Sequence, residues 1–321
     1  MGIDMNKKKV FVIGTFIMDL VVKSSKMPDK GETVIGKGYQ VFPGGKGINQ
    51  AIAAARLGSE VYILGKVGND NYGKEFLELL DDEDIYSEFV TISEKSKNGL
   101  GFINVDDTGE NRIVVVLGAN NDISTEELDE FFEGVCEGDI VITQMELQWP
   151  IVERIIEKAY EKKAKIVLNP APAKRLSDSV LSKISYLIPN ENEAEVLTRK
   201  KINSIEDARE CGKILYSKGV DNVIITLGKN GSCLYNKEGF LHFPALNVKA
   251  IDTVGGGDAF NGGIAHMISQ GYHINDAVRY ANIVAALAVT KHGAIPSLPY
   301  KMEVKAHIGN YEKKEILGGK K

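Results

Sequence analysis

The 321-residue sequence is poor in cysteine, has no excess of positive charge and contains no long apolar run. Its three cysteines, Cys136, Cys211 and Cys233, form no CxxC pair and have no histidine at metal-ligand spacing, which argues against a zinc site. Scattered cysteines of this kind are typical of a reducing compartment, so we expect a cytoplasmic protein. The formal net charge of -5 gives no support for binding to nucleic acid or to an anionic membrane surface.

The apolar segment nearest the start, residues 10–13, is too short for a signal sequence or a membrane span. With 43% hydrophobic and 26% charged residues, the composition is that of an ordinary globular protein large enough to bury a sizeable core. The charged tail at residues 311–321 predicts disorder.

Strand-like and helix-like segments alternate along most of the chain. Residues 10–13 form a continuous apolar run before Gly14, which predicts a strand buried on both faces of a parallel sheet. After Ser124, a predicted helix N-cap, the alternation continues with short connections. This pattern predicts an α/β fold with a doubly wound, mostly parallel sheet and helices on both faces.

Two stretches interrupt this alternation with short β-like pieces and polar turns. Residues 20–23 and 33–41 form the first stretch, and a hairpin at 99–105 and 112–117 forms the second. We expect them to build a small β-sheet that is inserted into the main domain as a lid. The predicted division is a main domain at 1–17, 46–97 and 118–310, with a discontinuous lid at 18–45 and 98–117.

The glycine-rich stretch at residues 252–263 is the strongest candidate for chemistry. We expect an extended segment at 246–251, then three consecutive glycines, then a helix. Glycine N–H groups can approach a ligand closely, and a helix N-terminus adds unpaired donors, so this arrangement predicts an anion site. A carboxylate beside a bound phosphate is useful when it takes a proton from the attacking nucleophile, which makes Asp258 a candidate general base. The competing interpretation is that Asp258 only caps the helix.

A second glycine-rich stretch, residues 43–51, leads into an Ala-rich helix that ends at Gly58. It is not a dinucleotide fingerprint, because Gln50 stands where the third glycine belongs, and the GKS or GKT of a P-loop is missing. It predicts a tight loop in which backbone N–H groups, Lys46 and Asn49 bind hydroxyls of a polar small molecule. The alternative is simple glycine packing with a solvated Lys46.

Polar residues follow several predicted strands at one edge of the sheet, where ligands bind in open α/β folds. Asn169 precedes Pro170 and is better interpreted as a turn residue. The residues in question are Asp19, Glu146, Asn169, Asn190 with Glu193, and 226–228.

Residues 44–51 and 252–258 together resemble the two signatures of the PfkB carbohydrate kinases, in the same order and at a similar separation. The similarity extends over about residues 9–300 and is closest to the ribokinase-like branch, which comprises ribokinases and deoxyribokinases. Further similar stretches lie at 31–34, 118–121, 144–146, 168–173, 189–191 and 288–290.

The resemblance implies a ribokinase-like fold and transfer of the ATP γ-phosphate to O5 of a pentose. Asp258 would be the base, with an anion hole formed by the amides of Gly255, Gly256 and Gly257. The sugar-contacting positions would be Ile17, Asp19, Gly45, Lys46, Asn49, Glu146 and Asp258. The ATP-contacting positions would be Asn190, Thr226, Leu227, Gly228, Lys229, Asn230, Gly231, Gly257 and Asn282.

The resemblance also implies metal ions and a second copy of the chain. Glu193 would help to organise Mg²⁺ through water, and a homodimer would form through the lid. A monovalent cation, K⁺ in particular, would be held by Asp252, Val254, Ala288, Lys291, Gly293 and Ser297.

One position departs from the ribokinase pattern. Ribokinases carry an asparagine two residues before the sugar-binding aspartate, where this chain has Ile17. An apolar side chain cannot bond a ribose hydroxyl but packs well against a methylene, which favours 2-deoxy-D-ribose. D-ribose remains the alternative if a neighbouring residue or water supplies the bond.

Other functions stay open at this point. They are a nucleoside or hexose-phosphate kinase on the same scaffold and, from a different class, a non-catalytic sugar sensor. The complete glycine run before Asp258 argues against the sensor, which needs no base. A dehydrogenase is the least favoured, since no full dinucleotide fingerprint follows a strand.

Overall fold

The computed structural model describes residues 7–308, which form two β-sheets and the helices that cover them. The strands in chain order are β1 (Val10–Ile13), β2 (Ile17–Lys23), β3 (Gly38–Gly44), β4 (Val61–Gly68), β5 (Tyr86–Ser93), β6 (Gly99–Val105), β7 (Asn111–Val116), β8 (Ile140–Gln144), β9 (Lys165–Asn169), β10 (Tyr186–Leu187), β11 (Asn222–Thr226), β12 (Ser232–Asn236) and β13 (Gly239–Phe243). The predicted disordered tail at 311–321 lies outside the described residues.

The helices alternate with the strands over most of this range. In chain order they are α1 (Lys46–Arg56), α2 (Asn71–Asp82), α3 (Thr125–Glu133), α4 (Trp149–Glu161), α5 (Asp178–Leu181), α6 (Glu191–Thr198), α7 (Ile205–Ser217), α8 (Gly256–Ser269) and α9 (Ile274–Ala288). Residues 301–308 are also helical, and short 3-10 turns lie at Gly118–Asp122, Gly228–Asn230 and Ile295–Ser297. Ser124 caps α3 through a capping box with Glu127, which confirms the predicted helix start.

The large sheet has the order β13-β12-β11-β10-β9-β8-β1-β4-β5 within the described residues. Neighbouring strands are parallel except at β11–β12 and β12–β13. The chain passes from β1 to β4 on one side and later to β8 on the other. In open α/β sheets, such a reversal of strand order opens a crevice at the carboxyl ends of the strands. The predicted doubly wound, mostly parallel sheet is confirmed.

Strand β1 is buried on both faces, as its apolar run predicts. Val10 and Val12 belong to the core beneath α1 and α8, whereas Phe11 and Ile13 belong to the core beneath α3 and α4. All four side chains are at most 2% exposed. Burial on both faces explains why the segment shows no alternation of apolar and polar residues.

The small sheet has the order β3-β2-β6-β7. Strand β2 starts at Ile17, so Asp19 lies within a strand. The edge strand β3 starts at Gly38 rather than at residue 33 as expected. The four strands come from the two predicted lid segments apart from Ile17 at the start of β2, with α1, β4, α2 and β5 between the two segments. The boundaries of the two domains remain a prediction.

The expected extended segment at 246–251 is not a strand. Residues 244–255 contain neither helix nor strand in the structure. The backbone N–H groups of Ile251 and Asp252 donate to Val289 O at the end of α9, at 2.8 and 3.2 Å, instead of to a neighbouring strand. A tertiary contact therefore overrides the local β preference of this segment.

Candidate active site

Close backbone packing places the start of α1 against the end of β1. A Cβ atom on Gly47 would lie 2.5 Å from Gly14 Cα, and one on Gly45 would lie 2.5 Å from Thr15 O. Gly45 also has a φ of 102°, which other residues rarely adopt. The glycines therefore serve the packing of α1 at the crevice, and this packing brings Lys46 and Asn49 to the carboxyl ends of β1 and β8.

Glu146 follows β8 and ties three segments together. Its carboxylate accepts hydrogen bonds from Thr15 Oγ1 and from the backbone N–H of Lys46 at 3.1 Å, and Lys46 Nζ lies 3.6 Å from Oε1. Burial lowers the pKa of Lys46, but the attraction of Glu146 and Asp258 outweighs it and raises the pKa overall. Lys46 is thus a charged, partly buried group among carboxylates rather than a solvated side chain.

Asp19 lies in β2, opposite the start of α1. Burial and, secondly, the charge of Glu146 raise the pKa of Asp19 to about 6, while Lys46 opposes this shift. Two glycines on the flanking strands make room for its carboxylate, because a Cβ on Gly44 would lie 2.6 Å from Oδ2 and one on Gly101 would lie 2.2 Å from Oδ1. A methyl group at either position would displace the Asp19 carboxylate.

Asp258 lies in the first turn of α8 and bonds across to α1. Its Oδ2 accepts from Asn49 Nδ2 at 2.9 Å, and its Oδ1 accepts from Gln50 Nε2 at 2.9 Å. The residue that caps α8 is Gly255, without a side-chain cap, so the interpretation of Asp258 as a mere N-cap is wrong. Burial raises the pKa of Asp258, while Lys46 and then the two amide donors oppose that shift.

Asn49 carries an acceptor that the protein leaves unused. The residue is 6% exposed, and among the described residues its Oδ1 has no hydrogen-bond partner. Buried polar atoms nearly always have partners, so an unpaired acceptor beside Asp258 points to a ligand that donates to it, such as a hydroxyl group.

The three glycines at the N-terminus of α8 have different structural roles. Gly255 has a φ of 78°, and a Cβ there would lie 3.0 Å from Ala294 Cα. The backbone N–H of Gly256 donates to Thr253 O at 3.3 Å. A Cβ on Gly257 would meet nothing within 4 Å, so no neighbour in the protein demands a glycine at this exposed position. Open space above an exposed backbone at a helix N-terminus suits an approaching anion.

The residues with predicted roles in ATP binding line two neighbouring regions. Asn190 and Glu193 form a capping box at the start of α6, and Asn190 pairs with Thr226 at the end of β11. A cavity of about 410 Å³ lies beside the next turn and is lined by Leu227, Lys229, Asn230, His242, Pro244 and Ala245, among others. Asn282 Nδ2 donates to Phe243 O at 3.4 Å, on the strand that leads into this cavity wall.

Asp252 brings together several of the residues predicted to bind a monovalent cation. Its Oδ1 accepts from the backbone N–H of Val254 at 3.0 Å, and its Oδ2 accepts from that of Gly293 at 2.9 Å. The buried Ser297 donates to Ala294 O at 2.7 Å. Loops from before α8 and after α9 thus meet at one carboxylate.

Four polar residues that border the site are not predicted to act in it: Thr15, Gln50 and Gln144 have no predicted role, and Asn169 is interpreted as a turn residue. Thr15 bonds Glu146, and a buried amide network joins Gln50, Gln144 and Asn169 to Asp258. The side chain of Asn169 bonds Gln50 and the backbone of Ile188, so it serves the site as well as the turn. Residues 50, 144 and 169 lie far apart in the chain, and no sequence spacing connects them. The position of Gln50 next to Asn49 in a glycine-rich motif is the one signal that could have identified it.

Comparisons with known proteins agree with this geometry. Residues 7–301 match the family described as pfkB family carbohydrate kinase. The chain is 35% identical over 297 residues to the ribokinase of Haemophilus influenzae, a match that covers 92% of this chain and 97% of that protein. It is 34% identical over 291 residues to the deoxyribokinase of Salmonella typhi, covering 90% of this chain and 95% of that protein. The structure of Arabidopsis thaliana ribokinase complexed with ribose and ATP aligns with a TM-score of 0.85 at 27% identity, covering 94% of this chain and 98% of that one.

Proposed function

The chain belongs to the pfkB family of carbohydrate kinases, and from this premise we propose that it transfers the γ-phosphate of ATP to O5 of a pentose, with 2-deoxy-D-ribose preferred to D-ribose. As a member of this family it is a phosphotransferase with an alcohol group as acceptor. The observation that carries the proposal is the Asp258 carboxylate at the N-terminus of α8, held by Asn49 beside an unpaired acceptor.

In the proposed reaction, Asp258 accepts the proton of the attacking hydroxyl. Lys46, Asn49 and Glu146 hold the other hydroxyls of the sugar, together with Asp19 on β2 and the backbone at Gly45. The N–H groups of Gly255 and Gly257, the N–H of Gly256 when it exchanges its bond to Thr253 O for the ligand, and the positive end of the α8 dipole stabilise the negative charge on the transferred group. Phosphoryl transfer needs mainly positioning and charge neutralisation, which these groups provide.

We place ATP against the cavity beside β11. Leu227, Lys229 and Asn230 line this cavity. The other proposed contacts are Thr226, Gly228 and Gly231 of the same motif, together with Asn190, Gly257 and Asn282. Within residues 7–308, no group of three or more His, Cys, Asp and Glu side chains could hold a metal ion. Mg²⁺ binds in such sites chiefly through nucleotide phosphates, water and one or two carboxylates, and it neutralises phosphate charge when bound. Both Glu193 oxygens accept from Asn190 at 2.9 Å, so this carboxylate is fixed where it can orient such water.

We also propose a K⁺ site at the loops joined by Asp252. A carboxylate and backbone carbonyls are suitable ligands for a hard cation. The proposed ligands, several through backbone oxygens, are Asp252, Val254, Ala288, Lys291, Gly293 and Ser297. Because Gly255 packs against Ala294 between these loops, an ordered cation here would fix the anion hole. Activity that is identical in K⁺ and in tetramethylammonium buffers would contradict this site.

The preference for deoxyribose rests on Ile17. This residue lies two positions before Asp19 in β2, so both side chains project from the same face of the strand. Ile17 is 3% exposed, and its Cγ2 lies 3.5 Å from where a Cβ on Gly101 would be. Its side chain can contact a methylene but cannot bond a hydroxyl, and a buried hydroxyl without a partner is unfavourable by about 1–3 kcal/mol.

We expect Ile17→Asn to increase the ratio of kcat/KM for D-ribose over 2-deoxy-D-ribose by about tenfold, because an amide can bond the 2-hydroxyl. A coupled assay with both pentoses, fructose and nucleosides measures the ratio and identifies the preferred acceptor. Ile17→Val keeps the apolar face and serves as the matched control. An unchanged ratio in folded Ile17→Asn would show that Ile17 does not set the preference, and higher wild-type activity on ribose would favour the D-ribose alternative.

We propose that a second copy of the chain covers the small sheet. Phe102, Ile113, Val114, Val115 and Val116 on this sheet are 45–64% exposed, although exposed apolar groups of this size normally occur singly. Phe102, Val114 and Val116 share one face of the sheet, and Ile113 and Val115 lie on the other face of the edge strand β7. An apolar edge of this kind suits a two-fold interface between identical chains. Sedimentation that reports a monomer at micromolar concentration would contradict a homodimer.

We propose a cytoplasmic location. The described structure contains Cys136, Cys211 and Cys233 as free thiols, which suit a reducing compartment. Among residues 7–308 there is no helix with the length and apolar character needed to cross a membrane. Fractionation that finds the native protein outside the cytoplasm would contradict this location.

A further inference from the structure

We propose that Gln50 is a positioning residue for Asp258, and that Gln144 sets the orientation in which Gln50 acts. This inference rests on the proposed role of Asp258 as the base and adds the group that aims it. Gln50 Nε2 donates to Asp258 Oδ1 at 2.9 Å and to Asn169 Oδ1 at 3.2 Å. Gln50 Oε1 accepts from Gln144 Nε2 at 2.8 Å.

Only one orientation of the Gln50 amide satisfies its neighbours. A flipped amide would place its oxygen against the Asp258 carboxylate and the Asn169 oxygen, and its NH₂ group against the NH₂ group of Gln144. Asn169 cannot adapt easily, because its Nδ2 donates to the backbone carbonyl of Ile188 at 3.2 Å. Asn169 and Gln144, at the ends of β9 and β8, therefore hold the Gln50 amide in the orientation in which it donates to Asp258.

Burial makes this network rigid. Gln50 is 0% exposed, Gln144 is 2% exposed and Asn169 is 9% exposed, so water has little access to replace a lost partner. Asn49 and Gln50 donate to different oxygens of Asp258, one each, which fixes the plane of the carboxylate. Each oxygen keeps a lone pair with which to accept the substrate proton.

The Gln50 donor also favours the charged form of Asp258. Burial raises the pKa of this carboxyl, and Lys46, Asn49 and Gln50 oppose the shift while Glu146 adds to it. The negative charge of Glu193 also lies close enough to interact with the Asp258 carboxylate. Without the Gln50 donor, the pKa of Asp258 should rise and less of the enzyme would carry a free base at neutral pH.

The decisive experiment is the pH dependence of kcat and kcat/KM for Gln50→Glu with ATP and the preferred pentose. A carboxyl group of the same shape shares a proton with Asp258, so the acidic limb should move upward by about one pH unit. We expect kcat to fall about tenfold at pH values on the acidic limb and to recover at higher pH, with KM for ATP unchanged. Gln148→Glu is the matched control, since Gln148 is exposed and, within residues 7–308, its side chain bonds only Asn121.

A second variant keeps the test decisive if Gln50→Glu does not fold. Gln144→Met leaves Gln50 in place but removes the donor that orients it, so we expect a smaller upward shift of the same limb. A wild-type pH profile in whichever of these variants folds would overturn the inference. If that profile is unchanged while Asp258→Asn is inactive, only the role of Gln50 is wrong. If Asp258→Asn keeps its turnover or the wild type phosphorylates no pentose, the proposed function itself is wrong.

Discussion

Asp258→Asn should lower kcat by about 10²–10⁴-fold while sugar and ATP still bind. The asparagine side chain has the same shape but cannot accept the proton of an attacking hydroxyl. It can keep a hydrogen bond to one of its two amide neighbours, Asn49 or Gln50, and loses the other. Calorimetric titration with the pentose and with a non-hydrolysable ATP analogue measures binding, and a coupled assay measures turnover.

Asp276→Asn is the control for this substitution. Asp276 also lies in the first turn of a helix, but it is exposed and pairs with Arg279 on the surface. We expect this variant to keep wild-type kcat. Turnover within a few fold of wild type in Asp258→Asn would remove Asp258 from its role as base, whatever the substrate.

The main sheet could be predicted because its strands are buried on both faces. A strand such as residues 10–13 can be predicted without knowing which strands pair with it, since continuous apolar character at this length is typical of a parallel strand. The hairpin β12–β13 went unpredicted although Gly239 lies at its turn, with a φ of 106°. Its strands are short, mixed in polarity and antiparallel at the edge of the sheet, so they lack the pattern of the central strands.

The candidate site could be predicted where its residues belong to the two glycine-rich motifs. Asn49 and Asp258 come from the two glycine-rich stretches and meet in the structure at 2.9 Å. The amide network could not be predicted, because Gln144 and Asn169 reach Gln50 only through the register of β8 against β9. Such partners depend on which strand ends become neighbours, which a single sequence does not encode in any spacing.

A buried ion pair at the end of α1 connects two parts of the candidate site. Arg56 ends α1, and its Nε lies 2.9 Å from Glu83 Oε2 after α2. Arg56 Nη1 donates to the carbonyls of Ile295 and Leu298, both at 2.8 Å. The guanidinium also lies 4.5 Å from the centre of the Tyr300 ring. The pair therefore joins the helix that carries Lys46 and Asn49 to the loop proposed to hold the cation.

Glu83→Ala should reduce the free energy of unfolding by about 3–5 kcal/mol, because it leaves the Arg56 charge buried without its partner. The two side chains are 9% and 8% exposed, so water cannot easily replace the carboxylate. Urea denaturation followed by fluorescence and circular dichroism measures the change. The loss should be accompanied by a weaker response to K⁺, since Arg56 would no longer hold the 295–298 carbonyls in place.

Glu206→Ala is the matched control, because Glu206 pairs with Arg209 at the surface, where both side chains are more than half exposed. Exposed pairs of this kind contribute about 0–1 kcal/mol, so this variant should unfold like the wild type. The double variant Arg56→Met with Glu83→Leu removes both charges and should recover much of the stability lost in Glu83→Ala. Because the double variant also lacks the hydrogen bonds to Ile295 and Leu298, its response to K⁺ should stay weak. If Glu83→Ala were as stable as Glu206→Ala, the pair would not stabilise the fold, and its link to the loop would have no energetic basis.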